Sequence, residues 1–113
     1  MEIVDFPIEF HSDVPNLSPE LEAEAERRLL NLRGDHSDMT GAAISVSNPA
    51  QEEVPYVFRV RIVVYTRPND VVADKEDKTI EGAMKEALTA VERQIREKRK
   101  KLGEPWKRPD IAD

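Results

Sequence analysis

Between Arg93 and Lys101 the chain carries six basic residues and one acid, Glu97. Closely spaced guanidinium and ammonium groups are the groups that bind phosphate, through charge and through multiple N–H donors. The run also has a plain structural reading. Cations at the end of a helix complement the negative pole of its dipole and are commonly just solvated. Both readings are open from this feature alone. The surrounding sequence, residues 77–102, reads as one long amphipathic helix. Ile80, Met84, Ala87, Leu88, Val91, Ile95 and Leu102 recur at three- and four-residue steps and form one apolar stripe. At about 100° per residue, Lys78, Lys85, Arg93, Arg96 and Lys100 cluster on the opposite side. Glu86 and Glu92 flank them. Asp77 is the expected N-cap, and Gly103 with Pro105 the expected stop.

Other residue types offer little chemistry. His11 and His36 are each followed two positions later by an aspartate, in polar stretches where a histidine is more often solvated than catalytic. Asp70, Asp74, Glu76 and Asp77 could attract a divalent cation, but they lack calcium-loop spacing and read as strand-end solvation plus a helix cap. The chain has no cysteine and four glycines, with no phosphate loop or nucleophile elbow. No enzyme activity, metal or cofactor is expected. Trp106 can stack on a base or rest on its own domain.

The elements that must position the basic helix follow from periodicity. Phe6, Ile8 and Phe10 alternate with Pro7 and Glu9, as in a strand with one buried face. Pro7 donates no hydrogen bond and should sit where none is needed. Leu17-Ser18-Pro19-Glu20 starts a helix: Ser18 caps, Pro19 takes the first position, and Glu20 and Glu22 suit the positive pole. Leu21, Ala25, Leu29 and Leu32 form its buried side, Arg27, Arg28 and Arg33 lie late in it, and Gly34 ends it. Residues 42–47 alternate as a short strand. Residues 54–66 form the longest one, with Tyr56, Phe58, Val60, Ile62 and Val64 facing the helices and Val57, Arg59, Arg61, Val63 and Tyr65 facing water. A turn at 67–70 leads to a partner strand at 71–75. The order β-α-β-β-β-α predicts an α+β two-layer sandwich, two helices packed on one face of a four-stranded sheet. One domain, residues 1–102, is expected, with 103–113 as a flexible tail.

Net charge is −6 but unevenly spread: −9 over residues 1–53, −1 over 54–92 and +4 over 93–113. Such polarity can orient a protein on a charged partner. No apolar run is long enough for a bilayer span, and the N-terminus lacks a secretory pattern, so a cytoplasmic location is expected.

These stretches resemble one known family. The run Pro55-Tyr56-Val57-Phe58-Arg59-Val60-Arg61-Ile62-Val63-Val64, the stretch Asp70 to Asp77, and the helix with Ala87-Leu88 and Glu92-Arg93-Gln94-Ile95 leading into Lys98-Arg99-Lys100-Lys101 resemble the ribosome hibernation-promoting factors. These are ribosome-associated inhibitors, also described as sigma-54 modulation proteins. The likeness runs from about Phe6 to Leu102 and includes Leu29-x-x-Leu32 and His36-x-Asp38. It implies the same β-α-β-β-β-α fold, and binding in the groove of the small ribosomal subunit across the positions of tRNA and mRNA. Basic side chains of the two helices would meet ribosomal RNA phosphates, blocking translation and protecting idle ribosomes. Carried over by position, Arg93, Lys98, Arg99 and Lys101 match the family's basic residues. Arg27, Arg28, Arg96 and Lys100 join them on charge and geometry. Glu97 departs from the pattern, as do Glu20, Glu22, Glu24 and Glu26 on the first helix. The chain is expected to lack the dimerisation domain of long family members; its oligomeric state stays open. Neither a membrane nor a small-molecule substrate is implied. Two other readings remain: a protein-interaction module using the open sheet face, and a general double-stranded RNA binder.

Overall fold

The computed structural model describes residues 6–14, 17–34, 38–48, 57–66 and 69–107, the last six by backbone alone. Six elements follow in the order β1 (Ile8–Ser12), α1 (Pro19–Arg33), β2 (Met39–Ser47), β3 (Phe58–Thr66), β4 (Val71–Asp77) and α2 (Ile80–Lys107). The sheet runs β1-β2-β3-β4, parallel between β1 and β2 and antiparallel thereafter. This is the α+β arrangement that periodicity predicts.

Register explains the two faces. Phe10 lies opposite Ile44, Ile44 opposite Ile62, and Ile62 opposite Ala73, so one inward row crosses all four strands. Alternation then puts Val46, Val60, Val64 and Val71 on the same side, where all are buried. Ala25, Leu29 and Leu32 of α1, and Met84, Ala87, Leu88, Val91 and Ile95 of α2, close over this row to form one core. Removing apolar area of this kind from water contributes about 25 cal/mol per Å². The other sheet face is open and carries Arg59, Arg61, Tyr65, Val72 and Asp74.

α1 begins and ends as its sequence dictates. Ser18 Oγ accepts from the N–H of Glu20 at 3.1 Å, and Pro19 occupies the first turn. Gly34 has φ of 52°, in the left-handed region that suits glycine, and donates to the Leu30 carbonyl at 3.0 Å. Leu30 itself is exposed.

Several boundaries differ from expectation: β1 begins at Ile8 rather than Phe6, and Val57 lies outside β3. β4 continues to Asp77, which pairs with Phe58, so the cap of α2 passes to Thr79, whose Oγ1 accepts from the Gly82 N–H at 2.9 Å. Pairing along the full length of β3 satisfies backbone groups that an earlier helix start would leave open. β2 begins at Met39 rather than 42, because Met39 pairs with Thr66 across a bulge and buries its side chain. Finally, α2 runs through Gly103 and Pro105 to Lys107. Glycine in a helix costs about 1 kcal/mol relative to alanine, and an interior proline about 3 kcal/mol through a lost hydrogen bond and a ring clash. Neither stops the helix, which is anchored upstream by its buried residues from Ala83 to Ile95. Residues 54–56, the turn at 49–53, His36, residues 108–113 and the Trp106 side chain lie outside the described part.

Candidate nucleic-acid interface

α2 crosses β3 and β4 with its apolar stripe down, which turns the opposite stripe outward. Arg93, Arg96 and Lys100 recur at steps of three and four and are exposed; Lys101 is exposed on the flank toward β4. No carboxylate of the described residues lies within ion-pair distance of these four. Four of the eight cations expected to bind RNA therefore stand free on the outer surface of one helix.

The remaining four are engaged. Arg28 reaches from α1 to α2 and grips Glu92 at both oxygens, Nε to Oε2 at 3.0 Å and Nη2 to Oε1 at 2.9 Å. Its Nη2 also lies 3.4 Å from Thr89 Oγ1. Arg99 makes the same bidentate grip on Asp38, just ahead of β2, at 2.7 and 3.0 Å. Lys98 donates to Thr66 Oγ1 at 2.6 Å and to the Asn69 carbonyl, closing the β3–β4 turn over the end of the sheet. Arg27 pairs with Glu24 one turn back on α1. These contacts tie α2 to α1, to β2 and to the β3–β4 turn, which fixes the azimuth of the free stripe. The glutamates of α1 noted in the sequence thus split in use: Glu24 holds Arg27, while Glu20 Oε1 lies 3.5 Å from the capping Ser18 hydroxyl.

Sequence reasoning missed one cation. Lys75 falls on the inward parity of β4, with Val71 and Ala73, yet it sits beyond the core and is exposed. It lines an open groove of about 300 Å³ with Lys85, Glu86, Thr89, Ala90 and Arg93 of α2. The signal was available: residues 71, 73 and 75 share a face, and that face meets α2.

The acidic cluster of β4 is dispersed by strand alternation. Asp74 and Glu76 lie on the open face and Asp77 on the helix face, while Asp70 accepts from the Thr66 N–H at 3.2 Å. Asp74 accepts from Nε and Nη2 of Arg59, at 2.7 and 2.6 Å, with Arg61 3.8 Å away. The hydrogen bonds from Arg59 hold the Asp74 carboxyl below the usual carboxylate range, and the same bonds raise the Arg59 guanidinium above its own. His11 lies 3.5 Å from Glu9, both well exposed on β1. Among the described residues no three ligand-type side chains gather as a metal site would require, and no helix is long and apolar enough to cross a membrane.

The chain was compared with known proteins. Residues 8–103 match the family described as sigma 54 modulation protein / S30EA ribosomal protein. Two solved structures share the fold. A ribosomal subunit interface protein from Coxiella burnetii superposes with a TM-score of 0.68 at 14% identity, covering 83% of this chain and 98% of that one. The N-terminal domain of Protein Y from Thermus thermophilus gives 0.59 at 17% identity, covering 82% and 96%. Among curated proteins no sequence match was found.

Proposed function

The chain belongs to the sigma-54 modulation / S30EA ribosomal protein family of non-catalytic, ribosome-associated factors, and from that premise we propose that it is a cytoplasmic translation silencer that binds small-subunit ribosomal RNA and occupies the tRNA and mRNA positions. The observation that carries the reading is the free stripe of Arg93, Arg96 and Lys100 with Lys101 beside it, standing outward on α2 while neighbouring cations are consumed by the fold. Unpaired surface cations repel one another, and phosphates relieve that repulsion while releasing counterions. Arg27, Arg28, Lys98 and Arg99 belong to the same basic surface. To touch RNA each must exchange its present partner for a phosphate, so they are secondary contacts. Glu97, exposed among them, limits the field rather than abolishing it.

The test uses small subunits carrying messenger and labelled tRNA. Adding the protein is predicted to release the tRNA as the protein becomes subunit-bound. Retention of both on the same subunit would contradict the blocking mechanism.

A second reading has one observation in its favour. Tyr65 and Val72 are each 40% exposed on the open sheet face, and Val63 lies directly opposite Val72 in the β3–β4 register. An apolar patch there suits a protein partner. Capture of a single protein partner, free of ribosomal RNA, would favour this module over the ribosome.

A further inference from the structure

One groove between β4 and α2 gathers several cations that have no ion-pair partner among the described residues. Arg28, Arg59, Arg61, Lys98 and Arg99 also face a neighbouring element, and each has a partner there. Lys75, Lys85 and Arg93 converge on one groove from two elements, and among the described residues none has a carboxylate within ion-pair distance. Glu86 lines the groove without pairing to any of them. Three like charges along one groove raise the free energy of the unliganded surface, and anions seated beside them lower it.

We infer that this groove is a phosphate-binding subsite for a single RNA strand, with Lys75, Lys85 and Arg93 as the charged contacts and the Thr89 hydroxyl as a neutral one. Lys85 and Arg93 are eight residues apart, about 12 Å along the helix, too far to share one phosphate. Lys75 faces them from the strand side. The arrangement suits successive phosphates of a strand lying along the groove, with its bases outward, and gives no base-edge readout. It extends the binding surface around α2 toward β4, with Arg28 of α1 3.4 Å from the Thr89 hydroxyl on the other side. The identity of the RNA as ribosomal rests on the function proposed above; the phosphate site itself does not.

Two measurements separate the two claims. In the first, the 113-residue chain, labelled with ¹⁵N, is titrated with a mixed-sequence single-stranded RNA decamer. Amide shifts are expected at Lys75, Lys85, Thr89, Ala90 and Arg93, lost in a Lys75→Gln/Lys85→Gln variant and strengthened in Glu86→Gln. Shifts absent from the groove, or unchanged in both variants, overturn the inference. All three side chains are exposed, and the amide spectra themselves report that the variants remain folded. In the second, co-sedimentation with small subunits is followed against salt. The double variant should reduce the log–log slope by about 1.4–1.8, the share of two phosphate contacts. Groove shifts without subunit binding would sink the ribosomal reading and leave the subsite. Subunit binding with an unaltered slope and no groove shifts would do the reverse.

Discussion

Arg28 of α1 and Glu92 of α2 form a two-pronged ion pair with side chains only 22% and 17% exposed. It joins the helices over the core and sets the angle at which α2 presents its outer stripe. A mostly buried pair is costly to break on one side, because the surviving charge keeps its desolvation penalty. Glu92→Ala is therefore predicted to lower unfolding free energy by about 1–3 kcal/mol. The neutral double variant Arg28→Gln/Glu92→Gln should lose less than the single. Chemical denaturation of the three proteins checks this; a double variant that loses more than the single would show that the two side chains contribute independently.

A second clamp joins α2 to the sheet. Thr66 is nearly buried, and its hydroxyl receives the Lys98 ammonium at 2.6 Å. Thr66→Val keeps the shape and removes the acceptor, at a predicted cost of about 1 kcal/mol. Amide exchange should rise locally at Asn69 and Asp70 rather than across the core. Uniform exchange changes would mean that Lys98 does not hold this turn.

Asp74 gives the chain a dependence on acid. Its carboxyl is held low in the folded state by Arg59, so the unfolded chain takes up the proton first as pH falls. The stabilisation is fully present above the ordinary aspartate value of about 3.9, and is lost as pH drops through the lower folded value. The stability difference between the protein and Asp74→Asn should hold steady at neutral pH and shrink below about pH 4. Thermal melts across that range read it directly, and a difference that grows in acid would reverse the sign.

Much of the fold was legible because one signal dominated each element. The alternation from Phe58 to Val64 fixed which strand face is buried, and Ser18-Pro19 with Gly34 bounded α1 to the residue. Boundaries failed where two acceptable residues competed. Asp77 and Thr79 are both good caps, and only the register against β3 decides between them. The site was less legible. A wheel of α2 shows which cations face outward, but not that Asp38, sixty-one positions away in sequence, takes Arg99. Nor does it show that Lys75 arrives from another element. Long-range partners of charges have no periodic signature in one sequence.

Arg99 then separates structural from binding roles. Arg99→Gln is predicted to cost about 1–2 kcal/mol of stability through loss of the two charge-assisted bonds to Asp38. It should change subunit affinity less than Arg96→Gln, since Arg96 pairs with no carboxylate among the described residues. Melting curves and co-sedimentation on the same two proteins give both readings, and the reverse order in affinity would move Arg99 into the primary contact set.

The most direct measurement is the salt dependence of co-sedimentation with small subunits for three proteins: the unaltered chain, Arg93→Gln/Arg96→Gln/Lys100→Gln/Lys101→Gln, and Arg28→Gln/Glu92→Gln. If the free stripe meets phosphates, the quadruple variant loses about 3 from the log–log slope, four contacts' worth, while the inter-helix variant, which removes only the secondary contact Arg28, loses at most about 0.9. An unchanged slope in the quadruple variant, or an equal fall in the inter-helix one, would contradict the assignment of binding to the outer face of α2.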